Sequence, residues 1–528
     1  MNYLKSILLV ILAATFFQGC EKDFLTTVPN DRLSSEIFWE TDHDAILAAN
    51  AVYPYIDDVN TFITWDALSD IGHVTLSWRA ESLIERGHMS ASDPYALSFW
   101  GDSYRGIRVA NDFLMNIDRV ESTNEVLINR LKGEVKVLRA YLYIRLATLF
   151  GDVPLVTTII SLEESRKLTR TSVAQVWNFI SQELTDAAVV LPNTQTEKGR
   201  ITKGAALALK ARAMLYAGRY QEAADAAKQV MDLNVYDLYP SYKNLFSYAA
   251  ENNKEIILDK QYISGTYKNS IFYYLTPISV YISRESSWFV PTKQIVDAFQ
   301  MNNGKDISDP TSGFNPYDPY VNRDPRLRYS VMVLGDILPN GKIYDSRPGS
   351  GTPDAVGFSE TSTRTGFNAK KYLNEEDLKD PTNCGINIIL MRYAEVLLIY
   401  AEAKIENNQI DQSVLDAINK VRSRPDVSMP PITGITSQAE LRNIVRKERL
   451  VELSFEGLRF FDIRRWRISE DVMPGIVYGM TYTDKAGNLQ TIEDALFLKN
   501  FDKDRDYLWP IPHRERELNP NLTQNPKW

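Results

Sequence analysis

A pair of acidic residues on the apolar face of a predicted helix limits the folds that this chain can adopt. In residues 441–466, apolar side chains recur at about 100° per residue, which predicts a helix over roughly the first seventeen of them. Glu448 and Glu452 are four positions apart, so they stack in the middle of that apolar face. An isolated carboxylate in a core is costly and must neutralise or find a cation. The two glutamates therefore serve chemistry or belong to a buried lattice of acids and arginines.

A second predicted helix carries acids in the same way. Glu395 and Glu402, seven positions apart, share one face of a segment that is otherwise almost wholly apolar. A glycosidase would place its carboxylates around a sugar, but two carboxylates on one helical ridge leave no room for it. We therefore predict a structural ion-pair lattice. Its expected members are Glu395, Glu402, Glu448, Glu452, Arg449, Arg459 and Arg464.

The first nineteen residues, 1–19, have the features of a lipoprotein signal peptide. Lys5 precedes an apolar run at 7–17 that is too short to span a membrane and fits a secretory signal. Cys20 follows a small residue at the end of this run, so we expect Cys20 to be lipidated. The alternative is a plain signal peptide that happens to end near a cysteine. Lipidation of Cys20 would leave Cys384 alone, which excludes an intramolecular disulfide.

Composition narrows the functional classes. The net charge is −9 and no basic stripe occurs, which argues against nucleic acid and anionic lipid as partners. The four histidines form no H-E-x-x-H pair and no Cys/His metal spacing, so we predict no metal centre and no cofactor. Asp309, Asp318 and Asp324 could hold calcium, although loop carboxylates of this kind are more often simply solvated.

Apolar periodicity predicts pairs of helices on both sides of the middle of the chain. The clearest pair lies at 202–233, where small residues let two helices approach and Gly218 forms the turn, a tetratricopeptide-like pattern. A weaker copy spans 392–422 and turns at Asn407 and Asn408. Helical repeats therefore fall within about 42–235 and 388–466. Between them, about 236–386 is rich in Gly, Pro, Asn, Ser and Tyr, and long irregular regions are usually functional.

Short motifs that recur in one order along nearly the whole chain carry a family resemblance. They are Cys20 with Asp23-Phe24-Leu25, Phe38-Trp39, Ala49-Asn50-Ala51-Val52-Tyr53, Gly133-Glu134, Leu138-Arg139-Ala140-Tyr141, Phe150-Gly151-Asp152-Val153-Pro154-Leu155, Arg392-Tyr393-Ala394-Glu395, Tyr400-Ala401-Glu402-Ala403, Glu448-Arg449, Glu456-Gly457, Asp462 to Arg465-Trp466, Pro510-Ile511-Pro512 and Gln524-Asn525-Pro526. On these motifs the chain resembles the SusD/RagB-type outer-membrane lipoproteins, which capture glycans at the surface of Gram-negative cells.

The resemblance implies a single domain over 20–528 that is mainly α-helical. About four tetratricopeptide-like helix hairpins would form its scaffold, and a large loop-rich region would bind the ligand. It also implies a protein that is not an enzyme and that is held in the outer membrane, facing the exterior, by the lipid on Cys20. The expected partner is a SusC-like TonB-dependent transporter, over which family members sit as a lid and to which they pass their ligand.

Exposed aromatic rings are the predicted means of binding. A Tyr or Trp ring offers a flat surface to the apolar face of a sugar, and neighbouring polar groups hold the hydroxyls. The resemblance places the site in the loops after the first helix and in the central region. The candidate ligand-binding residues there are Trp65, Asp70, Trp78, Arg79, Tyr95, Tyr281, Arg284 and Trp288.

Among these candidates, Trp78, Arg79 and Trp288 are favoured because none lies in a helical apolar stripe. The alternative for each ring is packing in the core. The other tryptophans occupy periodic or family-motif positions and are assigned to structure. They are Trp39, Trp100, Trp177, Trp466 and Trp509.

Three functions follow from these observations. A surface lipoprotein that binds a glycan, an oligo- or polysaccharide, is favoured. A peptide-capturing member of the same family is the first alternative, because its scaffold would be identical and only the loops would differ. An exported glycoside hydrolase is the second, weakened because the chain lacks a recognisable catalytic constellation.

Overall fold

A computed structural model describes residues 38–434 and 436–528 of the chain. The expected signal peptide at 1–19 and the expected lipidation site, Cys20, lie outside the described residues. Within the described ranges, no helix has both the length and the hydropathy needed to cross a membrane.

Helices dominate this part of the chain, and the predicted mainly α-helical fold is confirmed. In chain order they are α1 (Asp42–Asn50), α2 (Val59–Ala67), α3 (Ala80–Glu85), α4 (Pro94–Asn116), α5 (Glu125–Phe150), α6 (Leu162–Ser165), α7 (Val173–Val190), α8 (Lys203–Tyr216), α9 (Tyr220–Asp232), α10 (Ile271–Leu275), α11 (Lys293–Ala298), α12 (Arg326–Ser330), α13 (Tyr393–Glu406), α14 (Gln412–Arg422), α15 (Gln438–Glu452), α16 (Arg459–Arg465), α17 (Ser469–Val472) and α18 (His513–Leu518). Short 3₁₀ turns lie at Tyr53–Tyr55, Ile117–Arg119, Tyr248–Ala250 and Glu375–Lys379.

The helices before residue 235 form a stack in which α4 packs on α5, α5 on α7, α7 on α8 and α8 on α9. Alanines keep the last pair close, since Ala205, Ala211 and Ala213 have no exposed surface. Gly218 makes the turn between α8 and α9 at φ +71°, in the left-handed region that glycine adopts without steric cost.

The helices after residue 388 continue the same stack. α13 packs on α8 and α9 on one side and on α14 and α15 on the other. Asn408, at φ +54°, turns the chain between α13 and α14 at the predicted position. Helical hairpins from the two halves of the chain therefore share one core, which fixes the loops between them on a rigid base.

Six of the eight strands in the described ranges have five residues or fewer, whereas β7 has nine and β8 has eleven. The strands pair two by two, always antiparallel: β1 with β3, β2 with β6, β4 with β5 and β7 with β8. They are β1 (Gly72–Val74), β2 (Ile256–Lys260), β3 (Phe289–Pro291), β4 (Val331–Met332), β5 (Asn368–Ala369), β6 (Ile388–Arg392), β7 (Gly475–Thr483) and β8 (Leu489–Lys499). Loops fill most of residues 236–386. The β1–β3 pair matters for function because it joins the loop after α2 to this central region.

The two acids on the buried face of α15 both accept hydrogen bonds from arginines. Glu448 accepts from Arg326 at 2.6 Å and from Arg422 at 2.8 Å. Glu452 lies among three guanidinium groups at 2.7–3.0 Å, those of Arg326, Arg392 and Arg424. Because Arg326 bridges the two glutamates, they hold the fold together and do not flank an open site.

The acids of α13 face two different neighbours. Glu395 accepts from Arg212 of α8 at 2.8 Å, which ties the two halves of the helical stack together. Glu402 accepts from both terminal nitrogens of Arg465 at 2.6 and 2.7 Å and from the indole N–H of Trp466 at 2.6 Å. A bidentate arginine–carboxylate pair of this kind is a strong and geometrically specific contact.

The remaining lattice arginines follow α15. Arg449 donates to Asp462 at 3.2 Å and lies 3.4 Å from Glu402. Arg459 makes a bidentate pair with Asp70 at 2.7 and 2.8 Å, although Asp70 was expected among the ligand-binding residues.

Arg464, a predicted lattice member, lies outside the ion-pair lattice. Its guanidinium carbon is 3.4 Å from the centre of the Phe460 ring, and among the described residues no carboxylate oxygen lies within 4 Å of it. Burial lowers the pKa of Arg464 to about 9, and the charge of Asp506 offsets only part of that effect. Since consecutive helical residues point about 100° apart, only Arg465 can face the acids of α13.

Candidate ligand-binding surface

The pairing of β1 with β3 brings the loop after residue 74 against the loop before residue 289. Val74 pairs with Phe289, and the N–H of Thr75 donates to the carbonyl of Trp288 at 3.0 Å. Arg79 therefore lies over Trp288, although the two residues are far apart in sequence. This contact unites two of the loops that the sequence assigned to the site.

Arg79 lies between an exposed ring and a buried ring. Its guanidinium carbon is 3.6 Å from the centre of the Trp288 ring and 5.7 Å from that of Trp78. Glu285 accepts from Arg79 at 3.0 Å, and Glu81 accepts from it at 3.2 Å. Trp78 is 60% exposed and therefore presents an aromatic face to solvent. The cation beside it, Arg79, is held in place by the two acids.

Tyrosines extend this surface. The short helix α10 buries Ile271 and Leu275, and it leaves Tyr273 and Tyr274 partly exposed. The Tyr274 ring lies 4.9 Å from that of Trp288, and the Tyr273 ring lies 6.1 Å from that of Tyr281, which is 36% exposed. We call this contiguous set the ring surface; its members are Trp78, Arg79, Tyr273, Tyr274, Tyr281 and Trp288.

The loop that carries Tyr281 is pinned at both ends. Ser279 donates its backbone N–H to buried Asp354 at 2.9 Å, and Ser286 donates its hydroxyl to the carbonyl of Tyr281 at 2.8 Å. Asn368 donates to the hydroxyl of Ser287 at 2.8 Å. These bonds hold the ring surface in shape without a ligand, which lowers the entropic cost of binding.

Tyr95 and Arg284 lie at the margins of the ring surface. The phenol of Tyr95 donates to Glu81 at 3.1 Å, and burial together with the negative charge of Glu81 raises its pKa. Tyr95 therefore supports the carboxylate that holds Arg79. Arg284 is exposed in the same loop as Tyr281, next to Glu285, and its role in ligand binding stays a prediction.

Trp65 and Asp70 correct the expectation from sequence. Trp65 is only 2% exposed: its ring packs against those of Phe99, Phe460, Phe461 and Trp509, and its N–H donates to Asp57. Asp70 is buried beneath Arg459. Neither side chain is available to a ligand in this structure.

Trp288 also differs from the expectation of an exposed platform, because its side chain has no exposed surface. Its contribution is the aromatic base on which Arg79 rests. Four of the tryptophans assigned to structure are buried: Trp39, Trp100, Trp177 and Trp509. The fifth, Trp466, is partly exposed and donates its indole N–H to Glu402.

Sequence reasoning left Tyr273, Tyr274, Glu81 and Glu285 out of the candidate site. The run of tyrosines in the central region was a usable signal for the first two. Nothing in the sequence distinguishes Glu81 and Glu285 from solvated acids, because their role depends on where the fold places Arg79.

The chemistry available at the ring surface is recognition. Both nearby acids, Glu81 and Glu285, are engaged with Arg79. Of the loop acids considered for calcium, Asp324 is buried and accepts a hydrogen bond from Arg326 at 2.8 Å, so it is already engaged within the fold. In the described ranges, no three His, Cys, Asp or Glu side chains converge as metal ligands would.

A helical-repeat scaffold that presents a preformed aromatic and cationic surface defines a ligand-binding protein. The sequence model of the SusD family matches residues 254–528, and a model described as starch-binding and associating with the outer membrane matches residues 23–215. Because the first match covers more than half of the chain, the chain belongs to the SusD family. The resemblance seen in the sequence motifs is thereby confirmed, and the family is one associated with the outer membrane.

Individual relatives agree with this assignment. The chain is 27% identical to SusD-like protein P2 of Formosa agariphila, across 96% of each protein. It is 30% identical to a SusD-like carbohydrate-binding protein of Bacteroides fragilis, whose crystal structure matches with a TM-score of 0.84 over 92% of this chain and all of that one. A second SusD-like protein of B. fragilis is 28% identical, with a TM-score of 0.81 over 95% of this chain and 100% of its own.

Proposed function

We propose that this protein binds a glycan through the ring surface and delivers it to a partner TonB-dependent transporter of the SusC type. The observation that carries the proposal is the exposed indole of Trp78, whose ring centre lies 5.7 Å from the fixed guanidinium carbon of Arg79. A sugar ring would place its apolar C–H face on Trp78 or Tyr281. Arg79 and Arg284 would donate to its hydroxyls, and Glu285 would accept from them.

Family membership supports the cellular part of the proposal. One matching family model is described as starch-binding and associating with the outer membrane, and a 30%-identical relative is described as carbohydrate-binding. A lipid on Cys20 would hold the protein at the outer membrane, facing the exterior, where polysaccharides arrive. The transporter would then complete uptake, and the protein itself would catalyse no reaction.

Calorimetric titration of the purified protein with starch, laminarin, mannan and alginate, and separately with protein digests, tests this function. We expect binding to a polysaccharide and not to the digests. Trp78→Ala and Tyr281→Ala should each weaken that binding by about tenfold or more, which corresponds to about 1.4 kcal/mol. Tyr317→Ala, which removes a ring that is 62% exposed outside the ring surface, is the matched control and should bind as the wild type does.

The outcomes separate the candidate functions. Binding to digests alone would support the peptide-capturing alternative. Release of reducing sugar from a bound polysaccharide would support a hydrolase. Polysaccharide binding that survives the combined Trp78→Ala and Tyr281→Ala replacement would refute the ring surface as the site.

A further inference from the structure

A second cleft, which shares no residue with the ring surface, lies where the end of β2 meets the chain after α1. Its volume is about 270 Å³, and its walls come from residues 50–56, 198–200 and 259–261 and from Tyr267. This volume is near the lower end of the range for small-ligand pockets. Apolar atoms make up most of its exposed lining, and polar and charged side chains lie among them, which suits a sugar with an apolar C–H face and hydroxyl groups.

The buried acid of the cleft is Asp259. It is 7% exposed, and among the described residues no lysine or arginine nitrogen lies within 4 Å of its carboxylate. Gln261 donates to one oxygen at 2.7 Å, and burial raises the pKa of Asp259 to about 6. The adjacent Lys260 instead donates to the carbonyls of Pro54 and Ile56. Since a carboxylate can accept about four hydrogen bonds, Asp259 keeps acceptor capacity toward the cleft.

A fixed aromatic ring stands beside this acid. Tyr267 is 48% exposed, and its ring stacks on that of Tyr262 with centres 5.3 Å apart and planes 12° apart. Backbone hydrogen bonds between Ile263 and Tyr267, at 2.9 and 3.0 Å, close the small loop that carries the pair. The stacked partner and the closed loop hold one ring ready for an apolar ligand face.

Hydrogen-bond donors complete the cleft. Arg200 is held by Asn50 at 2.7 Å and by Glu197 at 2.9 Å. Lys198 is exposed at the mouth, and no carboxylate oxygen of the described ranges lies within 4 Å of it. Donors and one negatively charged acceptor thus face the same space. Lys198, Arg200 and Lys260 bring three positive charges to the cleft, and Glu134, Glu197 and Asp259 bring three negative ones. Because these charges balance, the cleft favours no ionic group and suits a neutral polyol.

The cleft and the ring surface are carried by neighbouring stretches of the chain. Tyr267 lines the cleft, and it lies six residues before Tyr273 of α10, which belongs to the ring surface. Since a chain spans at most about 3.6 Å per residue, a single extended ligand could touch both.

We propose that this cleft is a second sugar-binding subsite, which takes a neutral unit of the same glycan chain that the ring surface binds. The inference rests on the proposed function. Two linked contacts raise affinity because the second binds at high effective concentration once the first has formed. The protein would thus discriminate long chains from short ones.

The test is the dependence of affinity on ligand length. Size-graded oligosaccharides from starch, laminarin and alginate are titrated into the wild type, Tyr267→Ala, Asp259→Asn and Trp78→Ala. Tyr317→Ala and Asp225→Asn, which alter exposed residues elsewhere, are the controls. We expect wild-type affinity for a neutral series to rise by about tenfold or more with length. That gain should vanish in Tyr267→Ala and Asp259→Asn, while their affinity for the shortest binding oligosaccharide stays at the wild-type value.

Each other outcome overturns the inference. A wild-type length dependence in Tyr267→Ala and Asp259→Asn, with weakened binding only in Trp78→Ala, rejects the subsite and leaves the proposed function standing. A Tyr267-dependent gain for alginate fragments alone rejects the neutral ligand. Absence of binding to every polysaccharide rejects both proposals. Asp259→Asn retains an acceptor for Gln261 and removes a buried charge, so it is expected to fold, as thermal unfolding will verify.

Discussion

The ion-pair lattice around α15 and the ring surface use the same kinds of side chain for opposite purposes. Arg392 is 1% exposed and donates to Glu255, Glu452 and Glu456 at 2.7–2.8 Å. Arg79 also pairs with two acids, but its side chain is 17% exposed and carries an exposed indole on one face. Arginine, acid and ring alone do not identify a site. The difference is whether the group retains a face toward solvent.

This comparison also separates stability from binding. Groups in the lattice have their charges satisfied within the fold, so removing one leaves others buried and unpaired. Groups on the ring surface keep unused faces and hydrogen-bonding capacity. Replacements in the first region should destabilise the protein, and replacements of exposed ring-surface residues such as Trp78 and Tyr281 should change ligand affinity at nearly constant stability.

The largest effect is expected for Glu452→Ala. It leaves Arg326, Arg392 and Arg424 without a shared carboxylate, and breaking a buried ion pair costs about 3–5 kcal/mol. Urea unfolding measures the loss. Glu440→Ala, at an exposed position of the same helix, should change stability by less than about 0.5 kcal/mol.

Glu448→Ala should also destabilise the protein and leave ligand contacts intact, because Glu448 pairs with Arg326 and Arg422 and not with the ring surface. A Glu448→Ala or Glu452→Ala variant of wild-type stability that has lost polysaccharide binding would reverse the assignment of this region to structure.

The second effect concerns the two tryptophans that contact Arg79. Trp288→Ala should cost about 3 kcal/mol, because it removes a fully buried indole from between Tyr274 and Arg79. Trp78→Ala should cost less than about 0.5 kcal/mol, because its ring is mostly in solvent. Thermal and urea unfolding compare the two. Equal losses of stability would mean that Trp78 packs like a core residue and would weaken its role as a ligand platform.

These two tryptophans show how far the sequence could predict the molecule. The helical scaffold was predictable because long periodic segments and turn residues such as Gly218 and Asn408 act locally. The side that Trp288 faces depends on the pairing of β1 with β3, strands of three residues each that are too short to produce a periodic signal. The right loops could therefore be predicted, but not which ring in them stays exposed.

Trp65 and Asp70 were misassigned for a related reason. α2 is nine residues long and most of its positions are buried. Its sequence therefore lacks the contrast between a polar and an apolar face that identifies a helix packed against a core. The partner of Asp70 is Arg459, from near the opposite end of the chain. The acids of α15 were more informative. A carboxylate on an apolar helix face needs a nearby cation, whichever part of the fold provides that cation.

A third effect is expected on acidification. Burial alone would raise the pKa of Glu452 and Glu456, but neighbouring cations, above all Arg392, outweigh burial and hold both pKa values below their usual range. Below about pH 4 the unfolded carboxyls bind protons before the folded ones do, so stability falls as pH falls. Each unit of pKa difference is worth about 1.4 kcal/mol.

Thermal unfolding of the wild type and of Glu452→Gln between neutral and acidic pH measures this effect. The variant should lose less stability on acidification than the wild type, because its amide does not titrate. Parallel curves for the two proteins would show that Glu452 does not share its charge with the arginines in solution.

The smallest effect is expected for Arg464→Leu, which is compared with the larger effect of replacing the adjacent Arg465 of α16. Arg465→Leu removes the bidentate partner of Glu402 and should cost about 3 kcal/mol. Arg464→Leu should lower the free energy of unfolding by less than about 1 kcal/mol, because the guanidinium packs on Phe460 and an aliphatic side chain can keep much of that contact. Urea unfolding of both variants at neutral pH compares them directly. If Arg464→Leu were the more damaging change, the lattice would depend on Arg464, which the sequence predicted as one of its members, and α16 would have to present a different face to α13.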